Sequence, residues 1–157
     1  MSTEKKWIEI KALETYPEAE KTEIEQAMQF AVEQVMRNLP EFTEAFPGPN
    51  SFGNFYKPGE NVEWTTGFWT GEIWLAYENA KTEEEKRRLK NAGKIQVASF
   101  LNRIQQRIDV DHHDMGFLYS LSCVAAYKLT GMEMAKQAAL AAADNLISRY
   151  QPKGEFL

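Results

Sequence analysis

The sequence predicts an all-α protein. Apolar residues recur at spacings of three and four through most of the chain, helix start and stop signals bracket those runs, and no stretch alternates as a strand would. The first run, "TEIEQAMQFAVEQVMRNL", places Thr22 as a cap and Ile24, Met28, Ala31, Val35 and Leu39 on one face, with Pro40 closing the helix. Residues 43–63, "TEAFPGPNSFGNFYKPGENVE", are rich in proline and glycine and read as a loop, long enough to expect a functional or mobile segment. A second helix starts near Gly67 and runs through "GEIWLAYENA". The third, from the Thr82 cap, carries acids in its first turn and ends at Arg107, as the helix dipole favours. A fourth spans about Asp114 to Leu129 and is stopped by Gly131. The last, "MEMAKQAALAAADNLISRY", ends at "QPKG".

These helices repeat. Gly67-Phe68 corresponds to Gly116-Phe117 and Ala76-Tyr77 to Ala126-Tyr127, at offsets of 49 and 50 residues. In each unit an aromatic, nearly uncharged helix is followed by a more polar one, which describes an inner and an outer layer. Such hairpins bury their inner helix only by stacking or closing into a ring. A ring of six would need roughly 300 residues. Residues 1–157 therefore read as one domain, a fragment of a helical toroid. Closing it calls for further C-terminal helices or a partner chain, as the abrupt ending "KGEFL" also suggests.

Composition removes several functions. With 43% apolar and 26% charged residues the chain has an ordinary globular balance, not a disordered one. A formal charge of -5 argues against a nucleic-acid or anionic-membrane surface. The opening "MSTEKKWIEIK" lacks a secretory apolar core, no segment is long enough to span a membrane, and the lone Cys123 suits a reducing compartment. The expectation is a cytoplasmic protein whose cysteine is a buried core residue. The charge run "EEEKRRLK" reads as a solvated outer face.

Two stretches could carry chemistry. In "EWTTGFWTGEIWLAYE", Trp69, Ile73 and Tyr77 share a helical face, and Trp74 and Leu75 read as core. Trp64 precedes the helix, where an open indole offers a flat platform for a sugar ring. In "DVDHHDMGFLYS", Asp109 or Asp111 could cap the fourth helix, or the aspartates and histidines could bind a metal. Adjacent His112 and His113 would point about 100° apart on a helix and so converge poorly on one ion. The third reading is acid–base chemistry, with Asp114 at an inner-helix mouth and an imidazole beside it. The segment around Asp114 corresponds in the repeat to the Trp64–Thr66 segment, so the two should open on one rim.

Together, "WTTGFWTGEIWLAYE" and "DHHDMGFLYSLS" resemble the unsaturated glucuronyl hydrolases, glycoside hydrolase family 88, from about Phe46 to the last residue. The resemblance implies an (α/α)6 barrel and a substrate class: lyase-generated oligosaccharides, of glycosaminoglycan type, ending in a C4=C5 unsaturated uronic acid. It implies protonation of C4 of the vinyl ether, delivery of water to C5, and opening of the resulting hemiketal to release the sugar. Asp114 matches one of two catalytic aspartates, His113 a neighbouring substrate contact, and Trp64 a tryptophan lining the uronate subsite. No metal or cofactor is implied. The second aspartate, with later histidine, glutamine and arginine contacts, would lie beyond the end of this chain, so turnover by these residues alone is not expected. Two other readings stay open: a rhamnogalacturonyl hydrolase of the same fold, and a non-catalytic helical module that binds protein or glycan.

Overall fold

The computed structural model describes residues 17–156; the opening "MSTEKKWIEIK" and the final Leu157 lie outside them. Helix α1 spans Lys21–Phe42. It begins one residue before Thr22, with Glu20 as the cap residue, whose backbone N–H donates to Glu23 at 2.9 Å. Pro40 does not close it. The helix runs two residues further, because Phe42 is held from outside: its ring meets Trp69 edge-on at 5.7 Å, and its carbonyl accepts from the Trp69 indole at 2.8 Å. The buried stripe is Val32, Val35, Leu39 and Phe42. Ile24, Met28 and Ala31, expected on the core face, stand in solvent among the described residues.

Residues 43–63 are not all loop. Strands β1 (Phe46–Phe52) and β2 (Phe55–Gly59) pair antiparallel as a hairpin, with Phe52 opposite Phe55 and Phe46 opposite Gly59. The turn is Gly53-Asn54, both residues at positive φ (59° and 67°), the twist that a two-residue hairpin requires. Gly-Asn between "SF" and "FY" is a recognised hairpin signal; the prolines on either side hid it. The all-α class holds, the structure being mostly helical, and this hairpin is an addition within the stretch read as loop.

Helices α2 (Thr66–Asn79) and α3 (Glu83–Gln105) form the first helical hairpin. Thr82 caps α3 as expected, accepting from the Glu85 N–H at 3.2 Å while the Glu85 carboxylate takes the Thr82 N–H at 3.0 Å. The second unit comprises α4 (Met115–Tyr119), a π-helical segment (Ser120–Val124) and α5 (Ala125–Thr130), then α6 (Glu133–Ile147). Gly131 ends α5 in the left-handed region at φ 67°. The repeat offset grows by one residue between Phe117 and Ala126, and the widened π turn lies in that interval, absorbing the extra residue.

Inner helix meets inner helix, and outer meets outer: α2 packs on α4 and the π segment, while α3 packs on α6. Gly67 makes the inner contact possible, since a Cβ there would sit 2.7 Å from both the Cα and the carbonyl oxygen of Leu118. Trp69, Ile73 and Trp74 are buried as predicted. Leu75 is not; it is 59% exposed. The charge run pairs on the surface, Arg87 with Glu84 and Lys86 with Glu83, where such pairs contribute little.

Gln96 joins the first hairpin to the end of α1. Its buried amide donates to the carbonyls of Phe42, Thr43 and Ala45 at 3.0, 2.8 and 3.1 Å, and accepts from the Thr70 hydroxyl at 2.9 Å. Gln96→Leu keeps the volume and orphans those groups, so it should cost about 3 kcal/mol, read as a lower urea midpoint.

Cys123 is fully buried, as expected, and burial pushes its thiol from about 9 up to about 12. Burial also raises Tyr119, whose hydroxyl donates to the Phe100 carbonyl at 2.9 Å. Both groups gain a proton preference on folding. Their contribution to stability is whole below the unfolded thiol's range and is lost as pH rises through the folded values. The denaturant midpoint should therefore fall between neutral pH and about pH 10.5, and Cys123→Ala should lessen that fall.

Candidate active site at the inner-helix mouths

Two turns form the rim: residues 61–65, leading into α2, and residues 108–114, leading into α4. Thr65 and Asp114 hold the same position in the repeat, and each is the residue preceding the first turn of its helix. The backbone of Asp114 starts α4, its carbonyl accepting from Leu118 N–H at 3.1 Å, but its side chain makes no capping bond. The carboxylate is therefore free to face elsewhere. Oδ2 lies 3.3 Å from His112 Nδ1 and Oδ1 lies 3.2 Å from His113 Nε2. The side chain of Asp114 is 22% exposed and that of His113 86%, so carboxylate and outer imidazole open on solvent together.

The adjacent histidines converge on one carboxylate, contrary to the helix-based expectation. They precede α4 and do not follow helical geometry. Neither Asp109 nor Asp111 caps the helix. Asp111 pairs with Arg149 just past α6, and the carbonyl of Val110, between the two aspartates, accepts from Asn145 at 2.8 Å. Asp109 is drawn away by Arg103, adopting φ 46°, which aspartate tolerates better than most residues. No group of three or more His, Cys, Asp or Glu suited to a metal occurs among the described residues.

Arg103 is the residue that sequence reasoning passed over. Its side chain is 1% exposed. Nη1 donates to Asn61 Oδ1, the Glu63 carbonyl and Thr66 Oγ1 at 3.0 to 3.1 Å. Nη2 donates to the Asp109 carbonyl at 2.8 Å and its carboxylate at 3.2 Å, and lies 3.4 Å from His112 Nε2. Burial lowers the guanidinium's pKa, an effect opposed by Tyr119, Asp109 and Glu63. One cation thus holds both rim turns. The third helix ends at Gln105, and the basic residue serving it is this buried Arg103; Arg107 lies beyond the end, in the turn, at φ 56°.

Trp64 is half exposed and forms an aromatic corner, its ring centroid 6.5 Å from Phe68 and 6.4 Å from Phe117, which lie 5.6 Å from each other. Phe68 and Phe117 are repeat partners, so the two mouths meet ring to ring beside the indole. A partly open cavity of about 290 Å³ is lined by Phe42, Pro47, Tyr56, Thr65 and Phe68, with the burial-raised Glu72 carboxyl on its wall. Asp114 is not among its lining residues, and neither histidine is.

No family model matches the chain. It is 48% identical over 137 residues to the unsaturated chondroitin disaccharide hydrolase of Streptococcus pneumoniae, covering 87% of this chain and 34% of that protein. The crystal structure of unsaturated glucuronyl hydrolase from Streptococcus agalactiae superposes with a TM-score of 0.86 at 45% identity, over 94% of this chain and 36% of that one. The chain shares sequence and fold with the unsaturated glucuronyl hydrolases. An Asp-to-Asn mutant of the S. agalactiae unsaturated glucuronyl hydrolase, complexed with dGlcA-GalNAc6S, matches at a TM-score of 0.83 and 44% identity, over 91% of this chain and 37% of that one. The chain spans about a third of the length of the curated relatives it matches. Unsaturated glucuronyl hydrolase structures are helical toroids, and the two hairpins described here match part of one.

Proposed function

We propose that this chain forms the first part of a hydrolase that releases an unsaturated uronic acid from lyase-generated, glycosaminoglycan-type oligosaccharides. The observation that carries the reading is the shared rim: Trp64, with its aromatic corner, and Asp114, with its imidazoles, stand at equivalent helix mouths tied by one guanidinium. In this reading Trp64 is the platform under the sugar ring and His113 a substrate contact. Asp114 is one of two carboxylates flanking the vinyl ether. C4 gains a proton, water adds its hydroxyl to C5 and loses its other proton to a carboxylate, and the hemiketal opens to a ketone with loss of the remaining sugar. The names of the relatives and the disaccharide bound to one of them support a glycosaminoglycan-derived substrate.

The ring is completed by further helices, which supply the second carboxylate and the other sugar contacts. We place the enzyme in the cytoplasm. The buried, protonated thiol suits that compartment, and no helix among the described residues is long and apolar enough to cross a membrane. Loss of vinyl absorbance from an unsaturated chondroitin disaccharide tests the proposal. A chain completed to the relatives' length should consume it and the present chain should not. Turnover by the present chain, or none by the completed one, would sink the assignment.

A further inference from the structure

We propose that Arg103 is a positioning residue for this site: it sets the Trp64 turn and the Asp109–His112 turn in one register and, through His112, orients the Asp114 carboxylate. The inference rests on the hydrolase reading for its kinetic consequence, but its geometry stands on the contacts alone. Three observations carry it. The guanidinium is buried and makes four bonds to the Trp64 turn and the start of its helix (the carbonyls of Val62 and Glu63, the side chains of Asn61 and Thr66) and three to the other turn (the carbonyls of Ile108 and Asp109, and the Asp109 carboxylate). Those turns belong to different repeats, and no backbone hydrogen bond outside the helices and strands joins them. Finally, His112 stands between Arg103 and Asp114: Nε2 lies 3.1 Å from the Asp109 carbonyl and 3.4 Å from the guanidinium, while the buried Nδ1, which makes no hydrogen bond, lies within ion-pair distance of Asp114 Oδ2 at 3.3 Å.

The planar fork explains why arginine is needed. Nη1 serves the Trp64 turn, Nε the Ile108 carbonyl, and Nη2 bridges the two turns through the Val62 and Asp109 carbonyls, a fixed spread of donors that a lysine's single ammonium cannot reproduce. A displacement of about 1 Å at such a support can cost about 10²-fold in rate without touching the substrate.

Two measurements test it. In the present chain, Arg103→Lys should speed amide hydrogen exchange at residues 61–66 and 108–112 together, while the packed cores of α3 and α6 keep their protection. Loosening of one turn alone, or of neither, overturns the coupling. In the completed chain, assayed well below its melting temperature, Arg103→Lys should lower kcat by about 10²-fold and also raise KM, because the loosened 61–66 turn carries Trp64. His112→Gln, which replaces only one ring nitrogen, should also lower kcat, and the double variant should lose no more than Arg103→Lys alone. Unchanged kcat in the single variants, or fully additive losses, would refute positioning through His112. If Arg103→Lys does not fold, His112→Gln decides by its kcat. An inactive wild-type completed chain counts against the hydrolase assignment instead, and the exchange experiment then decides whether Arg103 couples the turns.

Discussion

Asp114→Asn in the completed chain is expected to lower kcat on an unsaturated glucuronyl disaccharide by about 10²–10⁴-fold, the range lost when a positioned proton carrier is removed. The amide keeps the shape and can still bond an imidazole, but it can neither hold nor accept the proton. KM should change little, because the proposed function assigns sugar contact to Trp64 and His113. Stability should not fall. The Asp114 side chain makes no helix-capping bond and is partly solvated, so the substitution removes chemistry and leaves the support intact. Kinetics and a thermal melt on the same preparation separate the two effects. Activity within about threefold of wild type would remove Asp114 from the mechanism.

Gly67→Ala is expected to destabilise the chain by about 2 kcal/mol, the overpacking cost less the gain in helix propensity. The new methyl would lie 2.7 Å from the backbone of Leu118, and backbone cannot swing aside as a side chain can. The inner helices must part, and the Phe68–Phe117 contact at the rim parts with them. The repeat supplies its own control. Gly116 is the equivalent residue, yet a Cβ there meets only Leu146 Cδ1 at 3.8 Å, ordinary contact. Gly116→Ala should be neutral or stabilising, by up to about 1 kcal/mol. Equal urea midpoints for the two variants would contradict the close approach at Gly67.

Helix positions and the inner–outer alternation were legible because periodicity reports a face, and a repeat reports which faces meet. The extra Phe42 turn of α1 was not, since what extends it past Pro40 comes from Trp69 and Gln96, far along the chain. The exposure of Leu75 was equally hidden: an inner helix is apolar on both sides, so periodicity does not say which side faces the centre. Trp64 and Asp114 could be placed on one rim through the repeat. The relation of His112 to Asp114 could not, because a turn has no fixed period. Arg103 did leave a trace. The buried stripe of α3 (Leu89, Ala92, Gln96, Val97, Phe100, Arg103, Ile104) contains two polar residues, and both are hubs in the structure. A polar side chain on an otherwise apolar stripe must find partners, and here those partners are the loops that shape the site.

The widened turn at Ser120–Val124 has one more consequence. A helix that takes in a residue without breaking shifts the phase of everything after it by roughly 100° unless the turn swells to compensate. Here it swells beside Leu121, whose side chain and carbonyl lie nearest to Gly71 of the opposite wall. The upper half of that wall, which ends at the rim, and its lower half, which seats Ala126 in the core, are thus out of step in length yet aligned in direction. Growth by a single residue at this point lengthens one stave of the toroid and leaves its mouth where it was.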